Sequence, residues 1–325
     1  MLITSHVDYK TRHAIILVVF LIALCFSACG KDVEYKPVDF SKTIDAVPPQ
    51  SDPGNVKPLR VAVAAMTSPR ENFAAYQDLL DYLGKKLGRN IRLVQRKTYG
   101  EINSLFAKGG LDLAFICTGP YVTGKDRFGF EGLVTPLING TPYYQAYLIV
   151  NVKSPYKSLN DLKGHTFAFT DPDSNTGTTV PRYWLAKMKE VPESFFSDIV
   201  YTYSHDNSIK AVANSMVDGA SIDGAIWEFY NLNNPAYTRR TKIIKKSVLF
   251  GAPPLVVAKA LPKAIKGRIR NILTHMDADS EGKKILNALM IDAFRDTDDS
   301  CYASARQMYR ELGLAGEKEH AEVHH

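Results

Sequence analysis

Thr170-Asp171-Pro172-Asp173-Ser174-Asn175-Thr176-Gly177-Thr178-Thr179 is the stretch from which the fold is read. It follows the alternating run Thr166-Phe167-Ala168-Phe169 and precedes a helical pattern from Val180 to Lys189, so it is a strand-to-helix turn. Such a turn leaves backbone N–H groups without helical partners at the positive end of a helix dipole. Ser174, Thr176, Thr178 and Thr179 add hydroxyl donors, Asn175 adds an amide, and Gly177 allows a ligand to approach the backbone closely. The guest suited to that surface is a small oxyanion such as a phosphate-like group. Taken alone, the turn reads as an ordinary N-cap, because Ser, Thr and Asp are the usual capping residues. Its surroundings change that reading.

Outward from the turn, strands alternate with helices in both directions. Upstream lie a strand from Leu59 to Ala65, a helical pattern of Phe73, Tyr76, Leu79, Leu80, Leu83 and Leu87 stopped by Gly88, and a strand from Ile91 to Val94. A second helix runs from the Thr98-Tyr99 region through Ala107, and a third strand, Leu111 to Ile116, enters the turn Cys117-Thr118-Gly119-Pro120-Tyr121. Downstream, Ile199 to Tyr203, Asn207 to Met216 and Gly219 to Asp223 read as strand, helix and strand, and Lys263 to Leu314 reads as helical by period. This alternation predicts an α/β fold with mostly parallel strands. In such sheets ligands bind beyond the carboxyl ends of strands, where Tyr99 and Thr118 fall. Two long extended segments, Tyr143 to Val152 and Val248 to Val257, predict two α/β lobes joined by a two-strand hinge. The crossings are expected near residues 148–153 and 245–255, giving lobe 1 as 59–149 plus 250–325 and lobe 2 as 150–249. A hinge of this kind lets the lobes close over a ligand.

The 325 residues carry a net charge of +6 and are 45% hydrophobic, a globular composition with a mild basic excess. Lys and Arg are dispersed, which argues against a nucleic-acid partner and suits a protein handling anions. Lys10, Arg12 and His13 precede the apolar run Ala14 to Phe26, and Ser27-Ala28-Cys29-Gly30 follows, so residues 1–29 read as a secretory signal. The cysteine after Ser27-Ala28 resembles a bacterial lipobox, which implies lipidation of Cys29 and a membrane anchor; the alternative is an uncleaved N-terminal anchor. Residues 30–58, rich in proline and polar residues, read as a flexible tether. Cys117 and Cys301 have the option of pairing in an oxidising compartment. No His/Cys cluster has metal-ligand spacing, and no cofactor is implied.

Asp171-Pro172-Asp173-Ser174-Asn175-Thr176-Gly177 followed by Val180-Pro181, together with Ser204-His205-Asp206-Asn207, resembles the substrate-binding proteins of bacterial ABC importers for phosphonate, phosphite and phosphate. The resemblance covers about Leu59 to about residue 312 and implies the type II periplasmic-binding-protein fold, a small oxyanion ligand and an ABC permease partner. Phosphonate binders carry Ser-Thr-Ser-Gly at the turn, whose hydroxyls and N–H groups hold the oxyanion. Here Ser174 and Thr176 keep hydroxyls, and Asn175 stands in place of the middle threonine. The resemblance further implies that His205 and Tyr99 contact the ligand, with Thr118 in the loop where some members place a second tyrosine. The later hinge segment, Phe250-Gly251-Ala252-Pro253-Pro254, lacks the carboxylate that amino-alkyl binders use there. Phosphate, phosphite or a small neutral-tailed phosphonate is therefore the expected ligand. Asp223 either takes a proton from a protonated oxyanion and so rejects sulfate, or simply caps a helix or pairs with a lysine.

The leading function is thus an exported binding protein feeding a permease. A sensor reporting to a membrane kinase or chemoreceptor would use the same binding chemistry. An enzyme with Cys117 as thiol nucleophile and His205 as base is a third reading, weakened because the two lie on different lobes and no orienting group stands out. Trp184 reads as core, and Trp227 as a residue that lines the cleft.

Overall fold

The computed structural model describes residues 57–64 and 69–314. The expected signal with Cys29, and the tether as far as residue 56, lie outside them. In chain order the strands are β1 (Leu59–Val63), β2 (Ile91–Val94), β3 (Leu113–Phe115), β4 (Phe130–Leu137), β5 (Tyr143–Tyr144), β6 (Ala146–Asn151), β7 (Thr166–Phe169), β8 (Asp198–Tyr201), β9 (Gly219–Asp223), β10 (Thr241–Lys246), β11 (Phe250–Gly251), β12 (Leu255–Ala258) and β13 (Ala293–Asp296). A six-stranded sheet has the order β13-β4-β12-β3-β1-β2, and a five-stranded sheet the order β10-β6-β9-β7-β8.

The two sheets repeat one pattern. In the first, β1 lies between β2 and β3, all parallel, with β12 antiparallel beside β3. In the second, β7 lies between β8 and β9, all parallel, with β6 antiparallel beside β9. Each central strand packs both faces, as period-two alternation requires. Leu59, Val61 and Val63 point into one cluster and Ala62 into another, while Phe167 and Phe169 oppose Ala168 in the same way.

The hinge sits earlier than the sequence suggests. β6 pairs with β9 and β10 along its whole length, so the chain has already crossed by Ala146. The alternation from Tyr143 to Val152 hides a break at Gln145, whose side chain donates to the Ser247 carbonyl at 2.6 Å. Ser247 Oγ accepts the Ala146 N–H at 2.9 Å, tying the outgoing and returning strands together. Beside them β5 pairs with β11, Tyr144 opposite Phe250. A small core of Tyr144, Val180, Phe250, Met308 and Tyr309 packs at this junction. The segment after Lys263 is not helical throughout, because β13 adds to the outer edge of β4. Its Ala-Phe-Arg-Asp sequence is too short for a period to reveal.

Parallel strands of both sheets lead directly into helices. The helices Tyr99–Ala107, Thr118–Gly124, Val180–Lys187, His205–Ala213 and Gly224–Asn233 begin just after β2, β3, β7, β8 and β9. After β7 the entry is a wide π-type turn, Asn175–Thr179, in which the Val180 N–H reaches the Asn175 carbonyl. Gly177 is required by this turn. Its N–H donates to Ser174 Oγ at 3.1 Å, and a Cβ here would stand inside the Thr170 hydroxyl. Gly177→Ala should therefore cost about 1–3 kcal/mol of overpacking, lowering the melting temperature by roughly 2–10 °C. Gly267→Ala, on a helix with open space around the Cβ, should be neutral or stabilising. Paired thermal melts check both.

Candidate functional site

The residues singled out from the sequence stand at helix starts facing the space between the lobes. Tyr99, Thr118 and His205 are each the first residue of a helix, Ser174 is the N-cap of the π-type turn, and Asp223 is the N-cap of Gly224–Asn233. All are buried, Ser174, Asn175, Thr176 and Thr118 completely. The described lobes are drawn together. The Tyr99 N–H donates across the cleft to Asp171 Oδ2 at 3.0 Å, and Lys97 Nζ lies 4.4 Å from the centre of the Tyr203 ring.

Within the turn the hydroxyls divide into two sets. Thr178 Oγ1 donates to the Asp171 carbonyl and Thr179 Oγ1 to the Tyr309 hydroxyl, so both anchor the turn and neither is a free donor for a ligand. Ser174 Oγ accepts the Gly177 N–H, which leaves its own proton to donate. Thr176 Oγ1 is buried without any partner. So are Tyr99 Oη from the first lobe and Ser204 Oγ from the second. Thr170 Oγ1, beside Gly177, is a fourth; a buried polar group left unsatisfied costs about 1–3 kcal/mol, so a cluster of such hydroxyls suits a polar occupant. Asn175 faces elsewhere than the serine-threonine pattern implies. Its Nδ2 lies 3.2 Å from the Tyr144 hydroxyl, and its Oδ1 has no partner.

His205 is held in one form. The Asp223 N–H donates to its Nδ1 at 3.0 Å, so the ring proton sits on Nε2. Burial pushes the imidazole down to about 3, with Asp206 pulling weakly the other way. A cation would set an Nδ1–H against the Asp223 N–H. His205 is therefore neutral and has its Nε2–H to donate.

Asp223 caps its own helix, accepting the N–H groups of Ala225 and Ile226 at 2.8 and 3.4 Å. Burial nevertheless pushes it up to about 7. Asp171, receiving the N–H groups of Tyr99 and Asp173, is likewise pushed up to about 6 by burial. Thr118 is turned toward the hinge, its hydroxyl donating to the Gly251 carbonyl at 2.7 Å. Cys117 lies beside Tyr99. Burial pushes its thiol up to about 11 against the N–H groups of Asn175 and Gly119, so it is not an activated nucleophile. Cys117 and Cys301 are both free thiols. Trp227 does not line the cleft; its Nε1 donates to Thr241 Oγ1 and its ring packs on Tyr147. Three contributors went unread in the sequence. Tyr144 hides in a strand-like run, Ser204 precedes the more conspicuous His205, and Asp171 matters through an N–H from the other lobe.

Two measurements follow from these protonation states. Nitrogen NMR of His205 should show the Nε2–H tautomer unchanged from pH 5 to 8, and a titration in that range would disprove the neutral-donor assignment. Asp223 has a native value of about 7 against an ordinary 3.8, so it favours the folded state when protonated. That contribution is full below pH 3.8 and is lost as pH rises through 7. Asp223→Asn should flatten the fall of melting temperature between pH 5 and 8; an unchanged slope would refute this.

The family model for periplasmic substrate-binding proteins of ABC phosphonate transporters matches residues 61–302. The chain is 27% identical over 257 residues to the phosphonates-binding periplasmic protein of Escherichia coli, covering 78% of this chain and 76% of that one. It superposes on a binding-protein component of an ABC phosphonate transporter from Pseudomonas aeruginosa with a TM-score of 0.75 and 26% identity, over 82% of this chain and 92% of that one. A Prochlorococcus marinus protein solved with methylphosphonate gives a TM-score of 0.71 at 18% identity, over 79% and 99% of the two chains, which speaks to the shared fold. These neighbours have the type II periplasmic-binding-protein fold, as the repeated sheets and double crossing require. The chain belongs to the family of periplasmic substrate-binding proteins of ABC phosphonate transporters.

Proposed function

We propose that this protein captures a phosphorus oxyanion at Ser174, Thr176, Tyr99, Ser204 and His205, closes its lobes over it, and delivers it to an ABC permease. The observation that carries the reading is the set of buried hydroxyls without partners, contributed by both lobes and joined by a neutral Nε2–H donor. Helix starts after β7 and β8 add a positive field that favours an anion. The relative named for phosphonates and the neighbour holding methylphosphonate support the same ligand class. Phosphate, phosphite and phosphonates all present the tetrahedral oxygens that these donors suit. Asp223, close to half-protonated near neutral pH, fits acceptance of a protonated oxyanion and rejection of sulfate.

Ser27-Ala28-Cys29 supports tethering through lipid on Cys29. Among the described residues no helix is long and apolar enough to cross a membrane. The unactivated thiol of Cys117 speaks against a thiol enzyme.

The test is calorimetric titration of ligand-stripped protein with phosphate, phosphite, methylphosphonate and sulfate. Phosphorus oxyanions should bind and sulfate should not. Ser174→Ala and Thr176→Ala should each weaken binding by about tenfold to a hundredfold, the worth of a hydrogen bond to a charged group; Thr176→Ala should melt close to the parent, whereas Ser174→Ala also loses the cap on the Gly177 N–H and should melt a few degrees lower, at a cost of about 1 kcal/mol. Undiminished affinity in both variants would exclude this turn as the binding site.

A further inference from the structure

Tyr203 is held in the left-handed region of backbone space, with φ at 59°. Glycine, and sometimes asparagine or aspartate, takes that conformation at little cost; for a bulky aromatic residue it is an outlier. The local turn explains the conformation but not the residue. The N–H groups of Thr202 and Tyr203 donate to the Phe169 and Thr170 carbonyls at 2.9 and 3.2 Å, and Asn207 Nδ2 donates to the Thr202 carbonyl at 3.2 Å. These bonds steer β8 into the helix that starts at His205. A glycine would make the same turn without strain. What a tyrosine adds is a ring.

That ring meets the other lobe. Lys97 Nζ lies 4.4 Å from its centre, within cation–π range. The ring's neighbour on its own lobe, Tyr201, is further off at 6.4 Å. Lys97 takes part in none of the ion pairs among the described residues. It is exposed and Tyr203 is half-buried, so the pair sits at the rim of the cleft and not among the buried hydroxyls. The lobes are close along this rim. Two residues after Lys97, the Tyr99 N–H reaches Asp171. A Cβ on Gly100 would stand 3.3 Å from Asp173 Oδ2, and one on Gly119 would collide with the Asp173 carbonyl.

We propose that Lys97 and Tyr203 form a clasp at the rim that holds the lobes shut over a bound oxyanion and sets how slowly the ligand leaves. This rests on the oxyanion reading above and adds to it two positioning residues that act through lobe closure. When the lobes part, the lysine returns to water and the ring loses its partner, so the contact favours the closed arrangement alone. An interaction made only on closure slows dissociation and hardly changes association. The strain at Tyr203 is present whether the lobes are open or shut. It therefore lowers folding stability, while the contact it permits serves binding.

Ligand-stripped parent and variants would be compared by stopped-flow binding of methylphosphonate and phosphate, with paired thermal melts. Lys97→Met should speed dissociation about threefold to tenfold, as loss of a cation–π pair at a rim provides, and Lys97→Arg should stay near the parent. Tyr203→Phe should also stay near the parent, because the face of the ring makes the contact and not its hydroxyl. Tyr203→Gly should speed dissociation by a similar factor yet melt close to the parent, since the strain it sheds offsets the freedom that glycine gains in the unfolded chain. A residue serving only the fold would lower the melting temperature instead. Lys97→Met added to Tyr203→Gly should change dissociation no further. Because Lys97 is exposed, its variants test the clasp even where Tyr203→Gly does not fold. Dissociation unchanged by Lys97→Met would overturn the clasp and leave the oxyanion reading standing. So would a loss confined to association that fades at high salt, the mark of a lysine that only steers anions. A parent that binds neither compound would overturn both.

Discussion

A helix start cannot satisfy its own first N–H groups, and this chain aims one helix start after another at a single cleft. That surplus of donors and positive dipole ends is what the rest of the structure answers. Two carboxylates answer part of it. Asp223 caps the helix on which it sits, and Asp171 reaches across the cleft to the first N–H of the Tyr99 helix. Because Asp171 belongs to one lobe and Tyr99 to the other, satisfying this N–H and bringing the lobes together are the same event.

The other polar groups at these helix starts, Tyr99 Oη, Thr176 Oγ1, Ser204 Oγ and the His205 Nε2–H, are neutral, and burial raises what a neutral donor can offer. In a cleft sealed from water a hydroxyl or an imidazole N–H has no solvent competitor, so its bond to an anion keeps strength that water would remove. The same dryness makes an empty closed cleft costly, since Tyr99 Oη, Thr176 Oγ1 and Ser204 Oγ would stay unpaired. A ligand that fills these positions binds the closed arrangement far better than the open one, and differential binding of that kind drives closure. A Lys or Arg cage would hold the anion in the open state as well, and closure would gain less from the ligand.

What the sequence made legible follows periodicity and turn chemistry. The strand-turn-helix at Thr166–Lys187, the alternating elements and the double crossing all have local signals, and Tyr99, His205 and Asp223 fall at helix starts where a residue-level reading finds them. The missing parts are those fixed by distant contacts. Gln145 breaks a run that alternates without interruption because its partner, Ser247, lies on the returning strand. Gly177 has a second constraint that no local pattern marks, because Thr170 fills the space where a Cβ would stand. Asn175 resembles a donor to the anion but turns its amide to Tyr144, a hinge residue whose hydroxyl no local pattern marks. Trp227 sits four residues after Asp223, yet its indole N–H goes to Thr241 and carries the ring away from the cleft.

Asp223 shows why position on a junction matters more than any one contact. Its N–H fixes the tautomer of His205, its Oδ1 closes the first turn of its own helix, and its side chain borders the cavity between the lobes. A carboxylate this deeply buried, raised to about 7, changes charge with small changes in what lies beside it. A cation beside it would favour the ionised form and an anion at the turn the protonated one, so the charge of Asp223 follows what lies in the cleft.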